Sequence, residues 1–293
     1  MSIRGDRNQA QDLNPYSAAL TEKNFNRLRE LIYSLCGIKL IPAKKTMLEG
    51  RLRKRLRALG INSFDSYCNY LLSDEGMSTE SVHMVDVVTT NKTDFFREPD
   101  HFDYLSAVVL PDLARSAGAG HGSPLSVWSA GCSTGEEPYT LAMVLSEYGR
   151  NHPGFNFRIL GTDISTKVLE IARRGIYDHD RISPVPMPLR RKYLLRSRDR
   201  TRNLVRIAPE LRSLVSFRRL NFMESDFGIR EHIDVIFCRN VLIYFDKETQ
   251  ERVLQRFCRH LSRGGYLFTG HSETLQNMRL PLIQATTTVY KKI

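Results

Sequence analysis

Val127-Trp128-Ser129-Ala130-Gly131-Cys132-Ser133-Thr134-Gly135-Glu136-Glu137-Pro138-Tyr139 runs from an apolar strand through a turn of small residues into the start of a helix. A turn this small lets a ligand approach the backbone at the carboxyl edge of a parallel sheet. It is not the G-x-G-x-x-G of a dinucleotide fold, because Glu136 and Glu137 stand where pyrophosphate would need a bare helix N-terminus. Two acids there suit a ligand with a cationic or hydroxyl-rich end. The competing reading is that they merely cap a helix whose first turn also accommodates Pro138.

Working outward, short apolar runs at 125–128, 157–160, 214–217, 233–237 and 266–268 alternate with helical stretches such as 138–148 and 167–174. Strand alternating with helix predicts an α/β domain, a parallel sheet covered on both faces. The second strand ends at Gly161-Thr162-Asp163, where an acid can accept from both ribose hydroxyls of an adenosine, or can equally serve as a helix N-cap before Ile164-Ser165. The fourth ends in Cys238-Arg239-Asn240-Val241-Leu242-Ile243-Tyr244-Phe245, which sets polar side chains on the same sheet edge.

Upstream the texture is helical. Phe25, Leu28, Ile32 and Leu35 recur at spacings of three and four, and Cys36-Gly37 ends that run. Leu48, Leu52, Leu56 and Leu59 form a second stripe closed by Gly60, with further helices near 64–72 and 78–88. The predicted organisation is a loose tail over 1–20, broken by Asn14-Pro15, then a helical domain over 21–90 and an α/β domain over 91–293. Inside the latter, 184–212 interrupts the rhythm with Pro184, Pro186 and Pro188 and alternating pieces such as Leu204-Val205-Arg206-Ile207, and reads as a small inserted β subdomain.

The 293 residues carry a net charge of +11, and the excess is concentrated: between 181 and 220 twelve basic residues face only Asp199 and Glu210. A second cluster, Arg51, Arg53, Lys54, Arg55 and Arg57, lies on the helix with the leucine stripe. Such surfaces imply an acidic partner: nucleic acid, membrane or a carboxylate-rich protein. A solvated amphipathic face is the bland reading of the helix. The first ten residues lack the apolar core of a secretory signal and no run approaches a bilayer span, so a soluble cytoplasmic protein without membrane insertion is expected. Five scattered cysteines without C-x-x-C spacing argue for reduced thiols, and the eight histidines show no metal spacing, so no metal is expected.

Four blocks, in order, resemble one family. Thr89-Thr90-Asn91-Lys92-Thr93-Asp94-Phe95-Phe96-Arg97-Glu98, Ser133-Thr134-Gly135-Glu136-Glu137-Pro138-Tyr139, Arg239-Asn240-Val241-Leu242-Ile243-Tyr244-Phe245 and Gly270-His271-Ser272-Glu273 are similar to stretches of the chemoreceptor glutamate methyltransferases known as CheR. The resemblance covers roughly residues 21 to 290. It implies a Rossmann-like S-adenosylmethionine-dependent methyltransferase domain, with an all-helical N-terminal domain and a small inserted β subdomain. It further implies that Asn91, Thr93 and Arg97 hold the methionine end of S-adenosylmethionine, Glu137 and Asp163 its polar groups including the ribose, and Asn221-Phe222 its adenine, with Arg239 and Asn240 closing the pocket. Read without the resemblance, Asn91 and Thr93 are turn residues of a linker and Arg239 a surface ion pair.

A glutamate side chain, with a reference pKa near ~4.3, is already ionised at neutral pH and needs no general base to accept a methyl group. Positioning and exclusion of water should dominate catalysis. Arg97, by its charge, and Tyr244, by its hydroxyl, are the candidate catalytic residues, with a merely packed aromatic as the alternative for Tyr244. Arg53, Arg55 and Arg57 are candidate contacts to an acidic helical segment of a methyl-accepting receptor. The insertion is similar to a subdomain that in some members docks a receptor's C-terminal peptide, although Arg196-Ser197-Arg198-Asp199-Arg200-Thr201-Arg202-Asn203 lacks the glycines expected there. A monomer is expected. His271 reads as a structural hydrogen-bonder.

Two other classes compete: a non-catalytic cofactor sensor, and a nucleic-acid methyltransferase. Against the latter, the Asn/Asp-Pro-Pro-aromatic loop of amino-group methylation is replaced by Arg239-Asn240-Val241-Leu242, Cys238 has no Pro before it, and the basic segments have few aromatics on which to stack bases.

Overall fold

The computed structural model describes residues 19–199 and 201–293, which divide into two compact units: one runs up to Leu31 and resumes over Leu40–Val88, the other comprises Ile32–Lys39 and Thr89–Ile293. The expected tail lies outside the described residues as far as position 18. Leu20, at its end, is buried and donates its N–H to Glu49 Oε2 at 3.1 Å, so the helical unit includes a residue before the edge expected at 21.

The first unit holds α1 (Glu22–Cys36, whose last residues from Ile32 belong to the second unit), α2 (Lys45–Leu59), α3 (Phe64–Leu71) and α4 (Asp74–Val88). Its core follows the apolar spacing: Phe25, Leu28, Leu48, Leu52 and Leu56 are all buried. Leu59, counted in the stripe, is exposed instead, because the helix stops one residue on at Gly60, which adopts φ +67° as the left-handed C-cap. On α2, Arg55 is committed to Glu80 through Nε at 2.8 Å and a second nitrogen at 2.6 Å, with Glu80 buried and also accepting from Tyr67. Arg53 pairs with Glu49 and lies over the Phe64 ring, whereas Lys54 and Arg57 are exposed. Of the three arginines expected to meet a partner, Arg55 thus has a structural task that the charge pattern concealed, since Glu80 lies 25 residues away.

The second unit opens with α5 (Asp100–Tyr104), a π turn at Leu105–Val109 and α6 (Leu110–Ala117). It continues β1 (Leu125–Ala130), α7 (Glu136–Asn151), β2 (Phe157–Asp163), α8 (Thr166–Arg174), β3 (Ile176–Asp178), α9 (Met187–Tyr193), β4 (Leu194–Arg196), β5 (Leu204–Ile207), α10 (Pro209–Arg212) and β6 (Val215–Arg219). β7 (Ile233–Cys238), α11 (Lys247–His260), β8 (Leu261–Thr269), β9 (Leu282–Thr286) and β10 (Val289–Lys292) complete it.

Seven strands form one sheet in the order β6-β2-β1-β7-β8-β10-β9. The first five are parallel; β10 runs antiparallel to both β8 and β9, so the sheet is mixed rather than wholly parallel. The two added strands lack the continuous apolar run that marks a central strand: β9 is almost entirely exposed and sits at the edge. Alternate residues of the central strands feed two cores. Val127, Val235 and Phe237 face one cluster, while Trp128, Ile236 and Cys238 face the other, built on Phe257 of α11. The chain leaves β1 toward β2 and β6 on one side and takes up β7 and β8 on the other. The carboxyl ends of β1 and β7 therefore flank a topological switch point, where such sheets bind ligands.

The insertion is a three-stranded antiparallel sheet in the order β3-β5-β4. It is wider than the 184–212 expected, because Ile176–Asp178 pairs with β5 through Ile176–Arg206 and Tyr177–Val205. Three residues directly after a helix are too few to show a strand period in the sequence.

Candidate active site

A cavity of about 260 Å³ opens at the switch point, several times the ~30 Å³ share of a single water and so of a size for an organic ligand. Asn91, Thr93, Arg97, Glu137, Asp163, Asn221, Phe222, Arg239, Asn240 and Tyr244 all line it. The structure thus brings together ten residues drawn from five stretches of sequence.

The small-residue turn is held by its own acids. Asp163 Oδ2 accepts from the Ser133 N–H at 2.8 Å and Oδ1 from the Ser165 N–H at 2.9 Å. Ser165, not Asp163, caps α8, accepting from the Val168 N–H, which removes the N-cap alternative for Asp163. Glu137 accepts from Ser129 Oγ through Oε1 and from Arg239 Nε through Oε2, both at 2.7 Å. Neither Glu136 nor Glu137 caps the helix: the N-cap is Gly135, with no side-chain cap bond. An ionised carboxylate offers about four acceptor positions, so Glu137 keeps capacity toward the cavity, and Asp163 lines the same wall.

The third wall comes from the loop after β7. Asn240 adopts φ +59° while its N–H donates to Glu273 Oε2 at 2.8 Å; Glu273 also accepts from the N–H groups of Gly270 at 2.6 Å and Ile243 at 3.2 Å. Burial pushes the Glu273 carboxyl up against these bonds. Gly270 is required here, because a Cβ would lie 2.7 Å from Asn240 Nδ2 and 2.9 Å from its backbone nitrogen. Six non-glycine residues among those described have positive φ, and four of them, Phe96, Glu98, Ser133 and Asn240, line the cavity or flank Arg97. Each such residue costs of order ~1–3 kcal/mol, a strain that concentrates at functional sites.

Arg239 occupies the centre of this arrangement rather than its surface. Its side chain is 2% exposed, lies over the rings of Phe102 and Phe237, and donates to Glu137, to the Arg97 carbonyl at 2.6 Å and to His101 Nδ1 at 3.2 Å. The surface ion pair is replaced by a buried clamp on Glu137 and the Arg97 backbone, on the wall of the cavity. Asn221 lines the cavity with its side chain tied to the protein: Nδ2 donates to the Leu35 carbonyl at 2.6 Å and Oδ1 accepts from the Met223 N–H at 3.0 Å, which shapes the wall. Phe222, with Ile38 and Phe245, makes that end of the cavity apolar. Among the described residues the Tyr244 hydroxyl takes no partner, while its carbonyl accepts from the Lys39 N–H at 2.9 Å.

Sequence reasoning missed Glu273, His101 and the Cys36–Ile38 wall. Glu273 stood in a matched block but carried no pattern of its own; the others lie far from the motifs in sequence. The histidine expected to be structural, His271, is exposed and engages Glu98 only through its backbone N–H at 3.4 Å. The buried hydrogen-bonding histidine is His101, between Arg239 and Thr288 Oγ1 at 2.9 Å. Glu98, His101 and His271 form the one trio among the described residues whose ligating atoms lie within 4.8 Å of one another. The Arg239 guanidinium, 3.5 Å from Glu98, already places a positive charge there, which disfavours a metal cation.

Burial, reinforced by Arg239, lowers the His101 pKa from 6.5 to about 4. Between these values the unfolded chain binds a proton that the native protein refuses, so stability falls as pH drops from 6.5 toward 4 and levels off below. The expected loss from this residue is about 2–3 kcal/mol. Denaturant unfolding of wild type and His101→Gln over this range checks it: the substitution should flatten the slope, and an unchanged slope would show that His101 does not titrate in this way.

The five cysteines are free and buried. Burial holds the thiols of Cys132 and Cys238 well above their ordinary value and that of Cys36 near about 11, so none is poised as a nucleophile.

Residues 91–291 match the family described as "CheR methyltransferase, SAM binding domain", and residues 23–89 match "CheR methyltransferase, all-alpha domain". The chain is 41% identical over 275 residues to a chemotaxis protein methyltransferase of Borreliella burgdorferi, spanning 93% of this chain and 95% of that one. It is 42% identical over 254 residues to chemotaxis protein methyltransferase 2 of Pseudomonas aeruginosa, spanning 86% and 87%. A chemotaxis protein methyltransferase of Escherichia coli is 39% identical over 272 residues, spanning 93% and 91%.

Proposed function

The chain belongs to the CheR methyltransferase family, and from that premise we propose that it transfers methyl groups from S-adenosylmethionine to glutamate side chains of chemotaxis receptors, forming methyl esters. The observation that carries this reading is one cavity with acid at one end and an aromatic wall at the other. Glu137 and Asp163 suit the amino and ribose hydroxyl groups of the cofactor, and Phe222 with Ile38 suits its adenine. When bound, the cofactor supplies an electrophilic methyl group on a sulfonium. Asn91, Thr93 and Arg97 are assigned to its methionine end, and Asn240 to the adjoining loop. Arg97 and Tyr244 orient the incoming carboxylate, which is ionised without help at neutral pH.

The acidic partner is assigned to the exposed basic residues of α2, Lys54 and Arg57, with Arg53 beside them; Arg55 braces that helix through Glu80. A receptor segment rich in glutamates has the complementary charge. No described helix is long and apolar enough to cross a membrane, which fits the proposal of a cytoplasmic monomer acting on receptors from the cytosolic side. Esterification erases one negative charge per site and so relieves repulsion between neighbouring receptor helices. Carbon methylation of cytosine, which needs a thiolate nucleophile, is disfavoured because burial holds the Cys238 thiol well above its ordinary value.

The test is transfer of labelled methyl from S-adenosylmethionine to receptor-containing membranes and to total RNA, followed by mild alkali. Alkali-labile label on receptor protein is expected. Label confined to RNA, or none despite tight cofactor binding, would overturn the reading in favour of a nucleic-acid enzyme or a sensor.

A further inference from the structure

The inserted subdomain is joined to the rim of the cavity by side chains that methyl transfer does not itself require. Tyr177 on β3 is buried; its hydroxyl donates to the Thr134 carbonyl at 2.7 Å, and Phe95 packs edge-on against its ring at 5.1 Å. Four residues on, in the 3-10 turn His179–Ile182, Arg181 reaches Glu136 Oε1 at 2.5 Å and donates to the Thr93 carbonyl at 3.2 Å. Thr134 belongs to the turn between β1 and α7 and Glu136 opens α7, whereas Thr93 and Phe95 belong to the segment that carries Asn91 and Arg97. The insertion therefore grips both at once.

Glu136 has no access to solvent, and Arg181 is the cation paired with it among the described residues. Its other oxygen accepts from Thr134 Oγ1 at 2.6 Å, and its backbone carbonyl accepts from Thr140 Oγ1, which in turn accepts from the Phe96 N–H. Glu136 thus ties α7 to the 91–97 segment by two routes, its backbone carbonyl through Thr140 and its carboxylate through the Arg181 guanidinium. Both contacts are made by one terminal nitrogen, Nη2, which the rigid guanidinium plane holds in place; a lysine ammonium, one bond shorter on a flexible stem, would hold the two acceptors less well.

We infer that Arg181 is a positioning residue for the methyl-transfer site: by holding Glu136 and the Thr93 carbonyl together it fixes the 91–97 segment against the 133–137 turn and so sets cofactor affinity from the insertion side. This rests on the reading that the cavity holds S-adenosylmethionine. A displacement of the Thr93 backbone shifts Thr93 and its neighbours on the cavity wall, while the acids Glu137 and Asp163 and the Arg97 carbonyl, held by Arg239, Ser129, Ser133 and Ser165, stay in place.

The experiment measures S-adenosylhomocysteine binding by calorimetry, and thermal unfolding, for the full chain and four variants. Arg181→Gln alone strands a buried carboxylate, so it lowers stability and affinity together. Arg181→Gln with Glu136→Gln removes that stranded charge; its melting temperature should return close to wild type while affinity stays about 10-fold weaker. Arg181→Lys keeps a cation near Glu136 on a shorter, more flexible stem and should melt like wild type yet bind several-fold more weakly. If the double variant and the lysine variant both bind product as tightly as wild type, Arg181 merely neutralises Glu136 and the positioning role is overturned. Asp163→Ala separates the two levels of the argument: weakened product binding supports the cavity as the cofactor site, and undiminished binding brings down that reading and the role of Arg181 with it.

Discussion

Arg239→Ala is expected to destabilise the second unit by about 3–5 kcal/mol, the usual cost of removing one partner of a buried ion pair. The guanidinium is almost wholly enclosed, and its loss strands the Glu137 carboxylate, the Arg97 carbonyl and His101 Nδ1 at once, while opening a hole against the stacked rings of Phe102 and Phe237. Stranding costs more than the pair ever contributed, because each acceptor was desolvated on folding and now has no donor. Urea unfolding reads the effect, with cofactor binding measured in parallel. Arg239→Met combined with Glu137→Gln should recover most of the stability, since an apolar side chain of similar length and a neutral amide remove both charges. It should not recover binding, because Glu137 is also a wall of the cavity. A loss below about 1 kcal/mol for Arg239→Ala would mean that water reaches Glu137 and that the clamp is not a buried one.

The same residue shows how far the sequence could be read. Arg239 followed an apolar strand, and strand order alone placed it at the ligand-binding edge; the five apolar runs became β1, β2, β6, β7 and β8 because buried parallel strands announce themselves by continuous apolar residues. What the sequence could not give was where the guanidinium points. Its partners Glu137, Arg97 and His101 lie 102, 142 and 138 residues away, and no local periodicity encodes that distance. The same holds for Arg55 with Glu80 and Arg181 with Glu136: a charge run advertises a surface, and only the fold shows which of its members are spent inside. The left-handed conformations of Phe96, Glu98 and Ser133 were equally invisible, since none is glycine and each is imposed by tertiary bonds. Asn240 is the partial exception, asparagine being among the residues that tolerate that region.

Arg97→Ala is expected to lower kcat/KM for the protein substrate by about 10²–10³-fold, with a smaller loss of cofactor affinity. The flanking residues Phe96 and Glu98 are both left-handed, and the Arg97 carbonyl is held by Arg239, so the backbone is rigid. The side chain, by contrast, makes one long bond, from a guanidinium nitrogen to the Lys92 carbonyl at 3.3 Å, and lies half-buried on the cavity wall. A rigid base with a side chain that can be recruited is what orienting a carboxylate demands. Its task is orientation more than charge stabilisation: the carboxylate loses its negative charge as the ester forms, so a cation beside it favours the ground state unless it also aims the reacting oxygen. A bidentate fork aims and a point charge does not, so Arg97→Lys should recover little of the rate. Steady-state kinetics on a receptor fragment at saturating cofactor decides between the two. Full recovery with lysine would show that charge alone sufficed. A loss confined to cofactor affinity, with kcat intact, would take Arg97 out of the reacting centre and leave Tyr244 as the group that meets the substrate.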